Sequence, residues 1–142
     1  MDKIKLGIVV SEYNFDITMV MLERAKVESE FLGAEISHIL YVPGTFEIPL
    51  GVKALLEKND VDAVVTLGAV IEGETEHDAI IMENAARKIE DLQIEYSKPV
   101  ALGITGHGMT RLQAMERVEK AREAVHSAVK MVNALKNLNR KA

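Results

Sequence analysis

Residues 61–70 form an almost unbroken run of Val, Ala, Leu and Thr, and no other segment restricts the fold of the chain so strongly. The run lacks the polar alternation of a strand with one wet face. It therefore predicts a strand covered on both faces by helices, the central position of a parallel sheet.

The flanking segments supply the helices and strands that such a position requires. Residues 4–10 are apolar and β-branched and stop at Ser11-Glu12-Tyr13-Asn14, which reads as a strand entering a loop. Asp16 is an expected N-cap for a helix over 17–32, with apolar residues at 17, 20, 21, 25, 27, 31 and 32, and Gly33 is its stop. A second strand over 36–42 is broken by Pro43-Gly44-Thr45, and a second helix starts near Pro49 and runs to about Lys58. After the central strand, Thr75-Glu76-His77-Asp78 fits a capping box and predicts a helix from Thr75 to about Tyr96. Residues 99–105 read as a fourth strand. The glycines at 103, 106 and 108 read as a plain strand-to-helix turn with His107 exposed, and a bent or broken helix covers 110–136. Four strands alternating with four helices predict an α/β fold, a three-layer α/β/α arrangement. Its four-stranded, mainly parallel sheet has flavodoxin-like topology, in one domain over 1–142.

Composition narrows the function classes. A chain of 142 residues buries roughly 68–70% of its unfolded surface, and 48% hydrophobic residues supply the core. Lys and Arg number 17 against 22 Asp and Glu, a net charge of −5 with no long basic run, so nucleic acid is not an expected partner. There is no cysteine, which removes disulfides, cysteine-based zinc or iron–sulfur sites and thiol nucleophiles. No apolar run reaches the roughly 18–20 residues of a membrane span, and Met1-Asp2-Lys3 leads directly into a strand, so a cytoplasmic protein without membrane association is expected.

In open parallel sheets ligands bind beyond the carboxyl ends of the strands, which selects the loops 11–15, 43–47, 69–78 and 105–110. The third is the most polar. Backbone N–H groups near Glu74 and Thr75, at the start of a helix, suit a phosphate, although Thr75 and Asp78 equally serve as simple caps. His77 supplies an imidazole, a group suited to proton transfer, or is merely solvated. Glu72, Glu74, Glu76 and Asp78 lack a metal-ligand spacing and read as solvated charge, so no metal is expected. Tyr13 has an aromatic face for stacking on a planar ring, Glu47 can accept hydrogen bonds from a polyol or a ring N–H or equally serve as a first-turn helix carboxylate, and Arg111 or Arg117 could clamp a phosphate or be ordinary surface arginines. Phe15, Phe31 and Phe46 are expected to help fill the core.

Taken together, these loops resemble one family. Ser11-Glu12-Tyr13-Asn14, then Val42-Pro43-Gly44-Thr45-Phe46-Glu47-Ile48-Pro49, then Leu67-Gly68-Ala69-Val70-Ile71-Glu72-Gly73-Glu74-Thr75-Glu76-His77 are similar in content, order and spacing to the 6,7-dimethyl-8-ribityllumazine synthases. The resemblance spans nearly the whole chain. It implies condensation of 5-amino-6-(D-ribitylamino)uracil with L-3,4-dihydroxy-2-butanone 4-phosphate, without metal or organic cofactor, in the penultimate step of riboflavin biosynthesis. By matching position it implies that Tyr13 stacks on the pyrimidine, that Thr45, Phe46 and Glu47 contact the ribityl chain, and that Ala69, Val70 and Ile71 hold the uracil edge. Glu74, Thr75 and Arg117 match the phosphate-binding positions, His77 the proton donor, and Leu102 a position lining the pyrimidine pocket. It further implies a homo-oligomer of pentamers or larger shells, with Leu102 and Arg117 reaching the site of an adjacent subunit.

The chain departs from the family pattern at named positions. Leu102 stands where an aromatic is usual, Glu72 where Arg is frequent and Thr45 where Ala is common, and the G-N-K-G run after Arg117 is absent. Lys120 or Arg122 are the available substitutes for the lysine of that run. The archaeal-type riboflavin synthases, also related, do not combine F-E-I-P with G-E-T-x-H as residues 46–49 and 73–77 do here.

Overall fold

The computed structural model describes residues 2–74 and 76–140. Its elements run β1 (Lys5–Ser11), α1 (Phe15–Phe31), β2 (Glu35–Val42), a 3-10 turn (Thr45–Glu47), α2 (Ile48–Leu56), β3 (Ala63–Ile71), α3 (Asp78–Tyr96), β4 (Val100–Met109), α4 (Arg111–Glu116) and α5 (Lys120–Arg140). The sheet order is β2-β1-β3-β4 and every pairing is parallel. The expected three-layer α/β architecture is present, with five α-helices rather than four because the last helical stretch is broken at Arg117–Glu119.

β3 is buried along its whole length, as the apolar run requires. Alternation sends Ala63, Val65, Leu67, Ala69 and Ile71 into one core, where α5 contributes Ala124, Val125 and Ala128 and α1 contributes Met21, Leu22 and Ala25. Val64 and Val70 face the other core, with Ile48, Val52 and Leu55 of α2 and Ile89 and Leu92 of α3. The one polar side chain in the middle of β3 is fully satisfied: Thr66 Oγ1 donates to the Ala101 carbonyl at 2.9 Å and accepts from the Gly103 N–H at 3.2 Å.

Several element ends differ from those read in the sequence. α1 begins at Phe15 rather than after Asp16: Asn14 occupies the N-cap position with φ 62°, in the left-handed region that Asn tolerates better than most residues. α3 begins at Asp78, later than the sequence pattern suggests, and the Asp78 carboxylate turns back to accept the Gly73 N–H at 3.0 Å. Thr75 itself lies outside the described residues. The glycines after residue 103 are part of β4, which resumes pairing after a register shift with Ile71 opposite Met109, and His107 is exposed within it. Phe15, Phe31 and Phe46 are not core residues; they are 64%, 81% and 72% exposed.

α2 lies unusually close to the sheet. A Cβ on Gly51 would stand 2.9 Å from Val9 Cγ1, 3.1 Å from Leu40 Cδ2 and 3.3 Å from Val42 Cγ1. Gly51→Ala should therefore destabilise the protein by about 1–3 kcal/mol in urea unfolding, despite alanine's better helix propensity. An unchanged midpoint would show that α2 is seated less tightly than this.

Candidate active site

The crevice of the molecule follows from where the strands part. β1 pairs with β3 only as far as Val10 opposite Leu67, and beyond that point each follows its other neighbour. On one side the Glu12 N–H donates to the Val42 carbonyl at 2.7 Å and the Tyr13 N–H to the Pro43 carbonyl at 2.9 Å. On the other, β3 stays with β4, and the Glu72 N–H donates to the Met109 carbonyl at 2.8 Å. The gap between the halves lies at the carboxyl end of the sheet, at the topological switch point of a 2-1-3-4 strand order.

This gap is a cavity of about 160 Å³, comparable with the roughly 150 Å³ cavity that holds one benzene ring. Its walls come from three strand ends and one helix: Tyr13 and Asn14 after β1; Gly44, Thr45, Phe46 and Glu47 after β2; Ala69, Val70 and Ile71 of β3; and Glu74, Asp78 and Ile81. Tyr13 is 55% exposed and Phe46 72%, so two aromatic faces stand open at the cavity instead of filling the core. Gly68 permits close packing behind them, because a Cβ there would meet Ser11 Oγ and Thr45 Oγ1, both at 3.3 Å. Ser11 Oγ and Asp78 Oδ1 are buried without a hydrogen-bond partner among the described residues, so the region retains unused hydrogen-bonding capacity.

The structure brings together Tyr13, Thr45, Phe46, Glu47, Ala69, Val70, Ile71 and Glu74 in this one cavity. His77 occupies the N-cap position of α3, directly before Asp78 in the wall, and its carbonyl accepts the Ile81 N–H at 2.8 Å. Leu102 and Arg117 are not among the wall residues of the same chain. Leu102 lies midway along the edge strand β4, opposite Thr66 and 38% exposed, while Arg117 follows α4 and directs Nη1 to Met109 Sδ at 3.9 Å.

Glu74 turns its carboxylate inward. Glu74 Oε1 accepts from Asn14 Nδ2 at 3.0 Å, which fixes the orientation of the side chain and leaves its negative charge in place. Arg111, one of two arginines suited to a phosphate clamp, is spent within the chain: Nη1 donates to both carboxylate oxygens of Asp16 and Nη2 to Asn14 Oδ1. The hydrogen bond to Asp16 raises the Arg111 pKa above its ordinary value. Among the described residues no three His, Asp or Glu side chains gather in a way that would hold a metal ion.

Sequence reasoning missed the structural parts of Asn14 and Asp78. The available signal for Asn14 was a residue tolerant of positive φ standing between a strand and a helix. For Asp78 the same carboxylate that suggested a cap closes the loop before it.

Comparison with known proteins places this geometry in context. Residues 3–136 match the family model described as 6,7-dimethyl-8-ribityllumazine synthase. A protein of that name from Picrophilus torridus is 60% identical over 134 residues, covering 94% of this chain and 98% of the relative. Those of Methanocaldococcus jannaschii and Archaeoglobus fulgidus are each 60% identical, over 135 and 136 residues. They cover 95% and 96% of this chain, and 96% and 95% of their own lengths.

Proposed function

This chain belongs to the 6,7-dimethyl-8-ribityllumazine synthase family, and we propose that its crevice joins the two substrates of that reaction, 5-amino-6-(D-ribitylamino)uracil and L-3,4-dihydroxy-2-butanone 4-phosphate. The observation that carries the assignment is a ring-sized cavity at the switch point. Open aromatic faces of Tyr13 and Phe46 border it on one side and the free end of β3 on the other.

The pyrimidine lies against Tyr13, with its edge toward Ala69, Val70 and Ile71 and its ribityl chain along Thr45, Phe46 and Glu47. The Ala69 carbonyl already accepts from Asn14 Nδ2 at 2.9 Å, so the backbone of Val70 and Ile71 carries most of the edge recognition. The butanone phosphate sits at the loop before α3, the segment of Glu74 and Thr75, near the positive end of the helix dipole. The Glu74 carboxylate is held by Asn14 but keeps its charge, so the phosphate requires a countercharge.

The chemistry follows from placing the substrates. The uracil's primary amine adds to the butanone carbonyl and an imine forms with loss of water. Phosphate then leaves by elimination, and the ribityl-bearing nitrogen closes the second ring with loss of water. Each step moves a proton, and an imidazole at His77 serves as the donor and acceptor. Holding both reactants in register supplies up to roughly 7–11 kcal/mol in favourable cases.

Leu102 and Arg117 complete the site from an adjacent subunit: Leu102 closes the pyrimidine pocket and Arg117 provides the countercharge for the phosphate. Their positions outside the wall of their own chain support this reading, as does the half-open cavity that one chain builds alone. The working form is thus a homo-oligomer of at least two neighbouring copies, acting on small molecules in the cytoplasm.

Formation of the lumazine, followed by its absorbance against the slow uncatalysed background, tests the activity. Wild-type protein should accelerate it, and His77→Ala should lose about 10² or more of that acceleration; a folded wild-type protein without effect overturns the reading. Equal mixing of inactive His77→Ala and Arg117→Ala proteins under subunit exchange should restore part of the activity. No recovery after demonstrated exchange contradicts a site shared between subunits.

A further inference from the structure

A hydrogen-bonded network in the wall of the crevice is anchored by Arg111 and Asp16, which have no part in the chemistry assigned above. Arg111 Nη1 donates to Asp16 Oδ1 at 2.8 Å and Oδ2 at 2.6 Å, while Nη2 donates to Asn14 Oδ1 at 2.9 Å. Asn14 passes the constraint on, because its Nδ2 donates both to the Ala69 carbonyl at 2.9 Å and to Glu74 Oε1 at 3.0 Å. Arg111 Nη2 also lies 3.9 Å from Glu74 Oε2. One amide therefore ties together the loop after β1, the end of β3, the loop before α3 and the first turn of α4.

We propose that Arg111 is a positioning residue for the condensation, acting through Asn14 to hold Glu74 and the loop that carries His77. The assignment rests on the functional reading above. Its physical basis is directional. A guanidinium can only donate, so it fixes the Asn14 amide with oxygen toward Arg111 and nitrogen toward Ala69 and Glu74. The flipped amide would oppose donor to donor at Arg111 and acceptor to acceptor at both other contacts. Asn14 is buried at 9% exposure, so solvent offers little compensation for such a flip. Asp16, in the first turn of α1, holds the guanidinium by accepting from Nη1 on both oxygens, an arrangement that a lysine does not reproduce together with the contact to Asn14.

The network reaches Glu74 from both Asn14 Nδ2 and Arg111 Nη2 but touches β3 only at the Ala69 carbonyl, so its loss should fall more heavily on the butanone phosphate. Arg111 is exposed at the surface and its removal should leave the fold intact, as near-native far-UV circular dichroism would show. Arg111→Ala should lower kcat/KM for the butanone phosphate about tenfold, below the roughly 10²-fold that a misplacement of about 1 Å can cost. The Kd of the ribitylaminouracil alone should move by less than about twofold, and Arg111→Lys should behave like Arg111→Ala. Asn14→Gly keeps the left-handed backbone accessible and removes the amide. In that background Arg111→Ala should add less than about a twofold further loss, because the two residues act as one unit.

Losses that multiply in the double variant, restoration by Arg111→Lys, a parallel weakening of ribitylaminouracil binding, or an Arg111→Ala protein as active as wild type would each overturn the assignment. In all four cases wild-type turnover leaves the functional reading standing. Absence of wild-type turnover overturns both.

Discussion

The structure depends on a strand that is satisfied on every side until it runs out of neighbours. β3 is covered by α1 and α5 on one face and by α2 and α3 on the other, and it pairs with β1 and β4 along its edges. Beyond Leu67 the partner on the β1 edge leaves, while the strand continues to Ile71. Backbone released from a buried sheet must find other partners, and here a side-chain amide supplies one at Ala69. The crevice is thus a product of sheet topology: two halves of one sheet are drawn apart by loops that stay bonded to their outer strands.

The same constraint explains which parts of the molecule could be read from the sequence. An uninterrupted Val/Ala/Leu run has one stable setting, and the βα rhythm around it leaves few topologies, so the layers and the parallel sheet were legible. The loops that form the crevice could be located because parallel sheets place their sites at one end. Element ends were less legible, since they are decided by contacts between distant residues. Asp78 Oδ2 accepts the Gly73 N–H from five residues back, and the glycines of β4 remain in the sheet because Met109 finds Ile71 opposite it. The exposed Phe15, Phe31 and Phe46 show a second limit: apolar character records a preference for burial, without saying which surface provides it.

Most of the residues singled out in the sequence line one cavity, and the structure separates the contacts they make. Glu74 looked out of place beside a phosphate, and its carboxylate is held by Asn14. Arg111 and Arg117, equivalent in composition, differ in use, because Arg111 is bound to Asp16 and Asn14 whereas Arg117 stands at the break between α4 and α5. No periodicity separates them; the distinction comes from Asp16 and Asn14 being 95 and 97 residues away in sequence from Arg111.

The central claim is that the gap between the β1 and β3 ends is the pyrimidine pocket. The most direct measurement is a crystal structure of the protein with 5-amino-6-(D-ribitylamino)uracil bound. The account predicts the ring in the cavity against Tyr13, with its edge on the backbone of Val70 and Ile71 and its ribityl chain along Thr45–Glu47. A ring bound at any other surface, with this cavity empty, would contradict it.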